Sequence, residues 1–504
     1  DNPSLLDVTL NGDLYLPRPQ LSTLNQINVR GLSGNDTLIV DSSNGLVDVP
    51  GGIRFDGGTG FDLIRLEQTG GDQQDSHVYS VGALNNSGTS VITGPSGVQQ
   101  LFFENVEPLV DLVPAVNLTV NGTPESNAIN YGVGSVATNG LVTVDNYESI
   151  EFSNKDTLTI NAGSGNDVVN LNNVNVPTEL TLIGVHGDDG DDEITTRSTA
   201  GVVLFAAGDA GNDTIDASGT ASVVELEGND GDDVLQGGSA ADSLTGGDGD
   251  DTFIASAGDD TLTGGAGVDT LLVRGTVVSD TLSLFQSAAG TLDVTLSGSA
   301  RSYTIDELDL IRVETLAGDD AIQVRASDTL AGGDSLPMDI DGGGSNGRDL
   351  LVVNDEGLGN LVVYRKGADD TSGSVIVGEL AQVSFQQIEN VKFTPLNSIT
   401  GGTGTDGQGR LVVFKHDPFE NNDTMANATH LGGGATINVD PTIDPGGGPF
   451  DVPGDEDWYR FDAAENGVLD FQVFFTTLDV LPNGRPGLPQ GGLLNVEIYD
   501  AQGN

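Results

Sequence analysis

Apolar and polar residues alternate over short stretches along most of the chain, and glycine, asparagine and aspartate separate the stretches. From Gly228 to Leu272 the pattern becomes strictly periodic, as five nonapeptides follow without a gap: GNDGDDVLQ, GGSAADSLT, GGDGDDTFI, ASAGDDTLT and GGAGVDTLL. An aspartate occupies the sixth position of each and an apolar residue the eighth. A nine-residue period has no helical interpretation, so we predict a short strand around each apolar position and a glycine-permitted turn before it.

Two nonapeptides would close one rung of eighteen residues in a parallel solenoid. Equivalent residues of stacked rungs lie about 4.8 Å apart, the ordinary spacing of neighbouring strands. The pattern therefore predicts two ladders of aspartates on opposite edges. The first holds Asp233, Asp251 and Asp269, and the second holds Asp242 and Asp260.

The same signature recurs at less regular spacing outside this block. It places further aspartates at position six: Asp36, Asp62, Asp167, Asp192, Asp213, Asp320 and Asp349. Longer segments repeat too, since TVNGTPESNAINY at 119–131 aligns with LVRGTVVSDTLSL at 272–284. These isolated loops lack a partner eighteen residues away, so we expect any cation sites there to take ligands from the intervening segments.

Composition changes near residue 411, where the alternation becomes longer and more aromatic, as in a two-sheet sandwich. We predict an all-β protein of parallel β-roll or β-solenoid segments with calcium-binding loops, followed by a C-terminal β-sandwich. We predict five domains. Three are β repeat units, at 1–110, 111–227 and 273–410. The regular β-roll lies at 228–272, and an incomplete sandwich lies at 411–504. Because the chain begins with Asp1, we interpret it as processed or excerpted.

The charge balance excludes some partners. With 76 acidic and 18 basic residues among 504, the formal net charge is −58, which repels phosphates and anionic lipid surfaces. No segment approaches the ~20 continuous apolar residues of a membrane span. We therefore expect no nucleic-acid partner and no membrane insertion. Salt adaptation would explain many acids, but not acids fixed at position six of a glycine frame.

Stacked carboxylates require a counter-charge. At an effective dielectric near 20, two carboxylates about 4.8 Å apart repel by roughly 3 to 4 kcal/mol. A fold with only ~5 to 15 kcal/mol of stability does not tolerate several such pairs. Ca²⁺ fits because it accepts six to eight oxygens in flexible geometry, including the carbonyls of a glycine turn, whereas Mg²⁺ fits less well. We predict Ca²⁺ as the cofactor, with Asp251 as a ligand and Asp248 and Asp250 adding negative field.

The uninterrupted run resembles the G-G-x-G-x-D-x-U-x nonapeptide of RTX, or haemolysin-type, calcium-binding proteins. The resemblance implies a parallel β-roll that folds on calcium after secretion, and hence an extracellular or cell-surface protein. Three positions depart from the pattern: Ala240 replaces a glycine of the loop, and Ala255 and Ser256 replace the leading pair. We expect weaker or distorted sites beside them.

The C-terminal segment resembles a second family, the pre-peptidase C-terminal (PPC) domain of secreted proteins. The resemblance rests on DPFENND, GDEDWYRF and NVEIYDAQG, and it implies a β-sandwich in which acidic positions of the first two motifs bind calcium in some members. Candidate ligands by this resemblance are Glu420, Asn422, Asp423, Asp455 and Asp457. The alternative is that they are loop caps and solvated acids.

No catalytic motif stands out. The H-E-x-x-H pattern is absent, and the G-x-S-x-G sequence at 343–347 precedes RDLLVV, which is typical of a strand rather than the helix of a nucleophile elbow. We therefore expect no enzyme, but a secreted, calcium-stabilised structural or adhesive protein. Expected partners are calcium, further copies in a fibre or surface layer, and an extracellular glycan or surface. The alternative is the accessory region of a larger secreted hydrolase.

Overall fold

The computed structural model describes residues 5–11, 13–15, 18–84, 86–288, 290–326, 335–344, 348–354, 362–366, 371–377 and 381–394, and four short pieces at 403–405, 411–413, 429–430 and 459–460. Within these residues the structure is strands and turns, with one 3₁₀ turn at Leu21–Thr23 and no α-helix. No helix of the described part has the length and hydropathy needed to cross a membrane. The predicted all-β class is confirmed.

The chain divides into two units. The first comprises Asp1–Val273 and Arg301–Ile311, and the second comprises Arg274–Ala300 and Arg312–Asn504. The five predicted domains are not separately tested and stay a prediction.

The first unit is built from short strands. In chain order they are β1 Val8–Leu10, β2 Asp13–Tyr15, β3 Ile27–Arg30, β4 Thr37–Asp41, β5 Ile53–Asp56, β6 Leu63–Glu67, β7 Gln74–Val81, β8 Ser87–Gly94, β9 Gly97–Glu104, β10 Leu109–Asp111, β11 Ala115–Asn121, β12 Ala128–Val133, β13 Gly140–Val144, β14 Ile150–Phe152, β15 Lys155–Ser164, β16 Val168–Asn172, β17 Leu182–Asp189, β18 Glu193–Ser198, β19 Val203–Ala210, β20 Thr214–Asp216, β21 Val224–Asp230, β22 Val234–Gln236, β23 Ser243–Asp248, β24 Thr252–Ile254, β25 Thr261–Ala266 and β26 Thr270–Arg274.

The remaining strands lie C-terminal to these. They are β27 Thr281–Ala288, β28 Thr291–Leu296, β29 Ser299–Asp306, β30 Leu310–Glu314, β31 Ala321–Ala326, β32 Met338–Asp341, β33 Leu350–Asn354, β34 Val362–Lys366, β35 Gly373–Val377, β36 Val383–Gln386, β37 Asn390–Thr394, β38 Thr403–Thr405, β39 Leu411–Val413, β40 Thr429–His430 and β41 Tyr459–Arg460. Most of β29 and the first residues of β30 belong to the first unit.

Parallel stacking at the predicted eighteen-residue offset forms the regular part of the first unit. On one side β22, β24 and β26 align Leu235 with Phe253 and Leu271. On the other side β23 and β25 align Leu244 with Leu262. These position-eight side chains are at most 2 % exposed, so they form the core between the two sides.

Glycine at position four permits the turn that precedes each of β22, β24 and β26. Gly231, Gly249 and Gly267 have φ angles of 134°, 135° and 151°, which side chains disfavour. A Cβ on Gly267 would also overlap the carbonyl oxygen of Gly249 in the neighbouring rung. The turns therefore stack closely, one above the next.

Antiparallel hairpins interrupt the parallel pattern. The sequence pattern predicted only parallel β-roll or β-solenoid segments in this part of the chain. In the first unit β7, β8 and β9 pair antiparallel, as do β12, β13 and β14. In the second unit β27 pairs with β28, and β34, β35 and β36 form another antiparallel set. A hairpin of this kind lengthens a rung while its outer strand keeps a parallel partner, as β12 does with β16.

Candidate calcium ladder

Six position-six aspartates of the first unit stack in one hydrogen-bonded ladder, the main ladder. In each step the backbone N–H of one aspartate donates to Oδ1 of the aspartate in the next rung. The steps are Asp167 to Asp192, Asp192 to Asp213 and Asp213 to Asp233, each at 2.7 Å, then Asp233 to Asp251 at 2.9 Å and Asp251 to Asp269 at 3.0 Å. A separate step joins Asp36 to Asp62 at 2.7 Å.

The irregularly spaced loops therefore join the ladder directly. Asp167 and Asp192 are 25 residues apart in the chain, and Asp192 and Asp213 are 21 apart, yet their hydrogen bonds match those of the regular block. The assumption that these loops lack a stacking partner was wrong for Asp167, Asp192 and Asp213. The origin of any calcium ligands at these loops stays a prediction. A longer rung absorbs the extra residues in its strands and turns, and it returns the aspartate to the same edge.

The second unit contains a ladder of the same kind. The N–H of Asp280 donates to Oδ1 of Asp320 at 2.7 Å, and the N–H of Asp320 donates to Oδ1 of Asp349 at 2.8 Å. The N–H of Asp349 in turn donates to Oε2 of Glu389 at 2.8 Å. Both units thus satisfy one carboxylate oxygen per rung with a backbone donor.

The second carboxylate oxygen is the unusual feature. Ten of the twelve position-six aspartates have a buried Oδ2 atom without a hydrogen-bond partner: Asp36, Asp62, Asp167, Asp192, Asp213, Asp233, Asp251, Asp269, Asp320 and Asp349. Buried polar atoms in proteins are nearly always paired, and an unpaired buried carboxylate oxygen is costly. An unpaired carboxylate oxygen that recurs in this way is suited to bind a cation.

Most of the orphaned oxygens, including those of Asp192, Asp213, Asp233, Asp251 and Asp269, face a cradle that a glycine leaves open. A Cβ added to Gly246 would overlap Oδ2 of Asp251 and would lie 2.7 Å from the carbonyl oxygen of Gly264 in the next rung. Gly228 has the same surroundings, with Oδ2 of Asp233 and the carbonyl of Gly246. A carboxylate and a backbone carbonyl therefore converge at the first position of the nonapeptide, which is the oxygen donor set that Ca²⁺ prefers.

The side chains alone do not complete a metal site. Among the residues that the structure describes, no three His, Asp or Glu side chains converge as a metal-binding group. Calcium in these loops would thus be held by the aspartate Oδ2 atoms together with backbone carbonyls, as the glycine-rich turns allow. The ion would neutralise carboxylates that the fold packs against one another.

Burial in the ladder disfavours ionised aspartates in the absence of a bound cation. Burial raises the pKa of Asp192 and Asp233 to about 7, opposed by the N–H bond from the preceding rung and reinforced by neighbouring carboxylates. The same causes raise the pKa of Asp213 and Asp251 to about 6. Burial also raises the pKa of Asp167, Asp269 and Asp349. A cation beside these groups would reverse the preference.

The opposite edge of the regular block differs from the main ladder. Asp242 and Asp260 do stack, since the N–H of Asp242 donates to Oδ1 of Asp260 at 3.0 Å. Their Oδ2 atoms are hydrogen-bonded within their own loops, however, to the N–H of Gly238 at 2.7 Å and the hydroxyl of Ser256 at 2.8 Å. Ser256, which replaces a glycine of the repeat, thus supplies a local hydrogen-bond donor to Oδ2 of Asp260. The weaker or distorted site expected there stays a prediction. The ligand role of these two aspartates stays a prediction.

A second row of side chains runs beside the main ladder at position five. The side-chain oxygen of each residue accepts the backbone N–H of the equivalent residue in the next rung. The bonded pairs include Asn212 to Asp191 at 3.0 Å, Asp232 to Asn212 at 2.8 Å, Asp250 to Asp232 at 2.8 Å and Val268 to Asp250 at 2.8 Å, donor first. Asp250 was expected only to add negative field. Its side chain also accepts the backbone N–H of Val268 in the turn of the neighbouring rung.

Sequence reasoning missed four members of the ladders. Asn127 donates its N–H to Oδ1 of Asp167, and Asp309 accepts the N–H of Asp269 through Oδ2. In the second unit Asp280 and Glu389 occupy the two ends. Each lies two residues before a strand position that is apolar, so this two-residue spacing would have found them without the glycine frame.

The aligned segments 119–131 and 272–284 turn out to begin the ladders. Asn127 Oδ1 accepts the N–H of Thr123 at 2.7 Å, and Asp280 Oδ2 accepts the N–H of Thr276 at 2.6 Å. A local threonine thus occupies the acceptor that stays orphaned in the rungs that follow. The internal repeat marks the first rung of a ladder in each unit.

The C-terminal candidate ligands Glu420, Asn422, Asp423, Asp455 and Asp457 lie outside the described residues, as does Ser345 of the G-x-S-x-G sequence. Their roles, and the PPC resemblance, stay predictions.

A parallel β-roll with one stacked aspartate per turn is the architecture of a calcium-binding repeat protein. Residues 205–221, 227–262 and 245–273 match the RTX calcium-binding nonapeptide repeat, in four copies. The chain therefore contains RTX repeats, and these repeats bind Ca²⁺. The matched ranges include Asp213, Asp233, Asp251 and Asp269 of the main ladder. No curated protein matches the chain.

Filling one cradle tests this geometry. We expect Gly246→Ala to destabilise the calcium-bound chain by about 1–3 kcal/mol, because the new methyl group displaces Oδ2 of Asp251. Gly132→Ala is the matched control, since its Cβ would meet nothing nearer than the carbonyl oxygen of Asn172 at 3.9 Å. Urea unfolding in saturating calcium measures both. Equal losses of stability would show that the cradle has no special role.

Proposed function

We propose that this chain is a secreted structural or adhesive protein whose calcium-stabilised β-roll serves as a stiff scaffold in a fibre or surface layer. The observation that supports it most is the repetition of one buried, orphaned carboxylate oxygen per rung. Such a chain is unstable where calcium is scarce and stable where calcium is abundant, which suits a protein that folds after export. The extracellular or cell-surface location is part of the proposal.

The absence of catalysis is likewise proposed. The ladders use their acidic side chains to accept backbone hydrogen bonds and to face glycine cradles, which leaves those groups committed to stacking. A surface rich in acidic residues would be screened or bridged by the same divalent ion. We propose that further copies of the chain and an extracellular glycan or surface are its partners.

The alternative is that the chain is the accessory region of a larger secreted hydrolase. A PPC domain in the C-terminal segment would suit either role. A hydrolase domain on the same polypeptide would favour the accessory role over the scaffold.

Electron microscopy of the native secreted material separates the two proposals. The scaffold proposal predicts ordered filaments or sheets in millimolar calcium that come apart when calcium is chelated. Discrete particles in both conditions would contradict a structural assembly and would favour the accessory role. Magnesium at the same concentration is the control, because it fits the loops less well than calcium.

A further inference from the structure

A group of four polar side chains lies fully buried in the first unit, away from the aspartate ladder. It comprises His77 on β7, Ser90 on β8, Asp111 at the end of β10 and Lys155 at the start of β15, all at most 1 % exposed. Burying a lysine and an aspartate costs several kcal/mol per ion unless the pair is very well satisfied. The group has no part in the calcium ladder and calls for an explanation of its own.

The contacts place the lysine amine directly on the aspartate. Nζ of Lys155 lies 2.8 Å from Oδ2 of Asp111 and also donates to the carbonyl oxygens of Val113 and Ser153. Oδ2 is shared with the ring of His77, whose Nδ1 lies 2.5 Å away. The other oxygen, Oδ1, accepts the backbone N–H of Val113 at 3.0 Å.

Ser90 completes the arrangement without serving as a nucleophile for outside substrates. Its Oγ lies 2.7 Å from Nε2 of His77, so serine, histidine and aspartate follow the order of a hydrolytic triad. With Ser90 at 1 % exposure and His77 at 0 %, no substrate reaches the hydroxyl. The hydrogen bond instead fixes the imidazole ring against Asp111.

We propose that Lys155 and Asp111 join in an intramolecular amide bond between Nζ and Cγ, with His77 relaying a proton. The reaction needs only groups that are already in contact, and it releases one water molecule. It would fasten β15 to β10 covalently, across the rungs that precede the regular repeats.

The atoms and protons balance within the group. The ammonium form of Lys155 first gives one proton to Oδ2, and the neutral amine then attacks Cγ. The negative charge that develops on Oδ1 is stabilised by the N–H of Val113, in the manner of an oxyanion hole. His77 donates its Nδ1 proton to Oδ2 and recovers a proton from Nζ. Oδ2 leaves as water, and Oδ1 remains as the amide oxygen.

The protein environment favours the reaction in two ways. Burial lowers the pKa of the Lys155 amine, against the attraction of Asp111, and so eases loss of its first proton. The amide product also removes two charges from the interior, while positioning by the fold replaces an encounter in solution. Although desolvation acts the other way, Lys155 and His77 hold the pKa of Asp111 below its usual range, so the ion pair is the starting state.

Intact-mass spectrometry of the full chain, isolated in calcium, tests the proposal. We expect a mass lower than that of the sequence by one water, and a peptide map in which the segments containing Asp111 and Lys155 are joined. Lys155→Arg should have the full sequence mass. An unmodified wild-type mass overturns the proposal whether or not the variant folds. A water loss that maps elsewhere, for instance to a succinimide at Asp248-Gly249, overturns it as well.

The proton relay has a test of its own. His77→Gln should slow the loss of water by about 100-fold, within the range of general acid–base catalysis, so freshly isolated variant should contain unjoined chain that converts with time. Ser90→Ala should slow it less, because the ring loses a positioning bond only. An unchanged rate in His77→Gln would remove His77 from the reaction.

Discussion

We expect chelation of calcium at about pH 8 to abolish the stacked β-structure of residues 167–269, and acidification of the calcium-free chain to about pH 4 to restore it. The reason is the raised pKa of the ladder aspartates, about 7 for Asp192 and Asp233 against an ordinary value of 3.8. The folded, calcium-free chain then binds more protons than the unfolded chain. Its stability is complete below pH 3.8 and is lost as the pH rises through about 7.

Circular dichroism against pH, with and without calcium, measures this effect. Hydrogen exchange at the N–H groups of Asp213, Asp233 and Asp251 locates it in the ladder. About 1 M sodium chloride is the control for the general repulsion of a chain with net charge −58, because it shortens the screening length to about 3 Å without reaching buried groups. A calcium-free chain that stays folded at about pH 8 would contradict the prediction, and so would full restoration by salt alone.

Asp251→Asn raises the calcium concentration needed for folding by about tenfold or more, whereas Asp248→Asn leaves it nearly unchanged. The asparagine can still accept the N–H of Asp233 through Oδ1, but it removes the charge at the orphaned oxygen. Calcium affinity depends on the number of charged ligands, and a tenfold change corresponds to about 1.4 kcal/mol. Asp248 is exposed, so it serves as the matched control.

A third variant sharpens this comparison. Asp242→Asn should shift the calcium midpoint less than Asp251→Asn, because Oδ2 of Asp242 already accepts the N–H of Gly238. Titration of the three variants by circular dichroism gives the midpoints side by side. The same midpoint for Asp251→Asn and Asp248→Asn would refute the assignment of Asp251 as a ladder ligand.

The regular repeats could be predicted from sequence because every determinant is local. An apolar residue at position eight, such as Leu235 or Phe253, fixes the inward face, and Gly231 fixes the turn that returns the chain. The eighteen-residue register follows from two such units. The hairpins could not be predicted in the same way, because a strand has the same alternation of side chains whether it pairs parallel or antiparallel. The antiparallel pairing of β12 with β13, and of β13 with β14, is therefore not visible in the apolar pattern.

The candidate site was predictable in its residues and less so in its connections. Position six located the aspartates, but a fixed spacing of eighteen suggested that Asp167 and Asp192 stood alone, whereas rung length varies. The difference between the two edges depends on hydrogen bonds within the loops, as from Ser256 to Asp260, which no spacing reveals. The contacts among His77, Asp111 and Lys155 could not be predicted from spacing, because the three residues lie on different strands.

Anomalous diffraction from crystals grown in calcium is the most direct measurement of the central claim, that calcium occupies the cradles of the main ladder. We predict anomalous peaks at about 2.3–2.6 Å from the Oδ2 atoms of Asp233, Asp251 and Asp269, each also within reach of a backbone carbonyl of the next rung. A well-ordered ladder without peaks at these oxygens would contradict the claim. The carboxyl groups would then be held protonated by their burial instead of ionised by calcium.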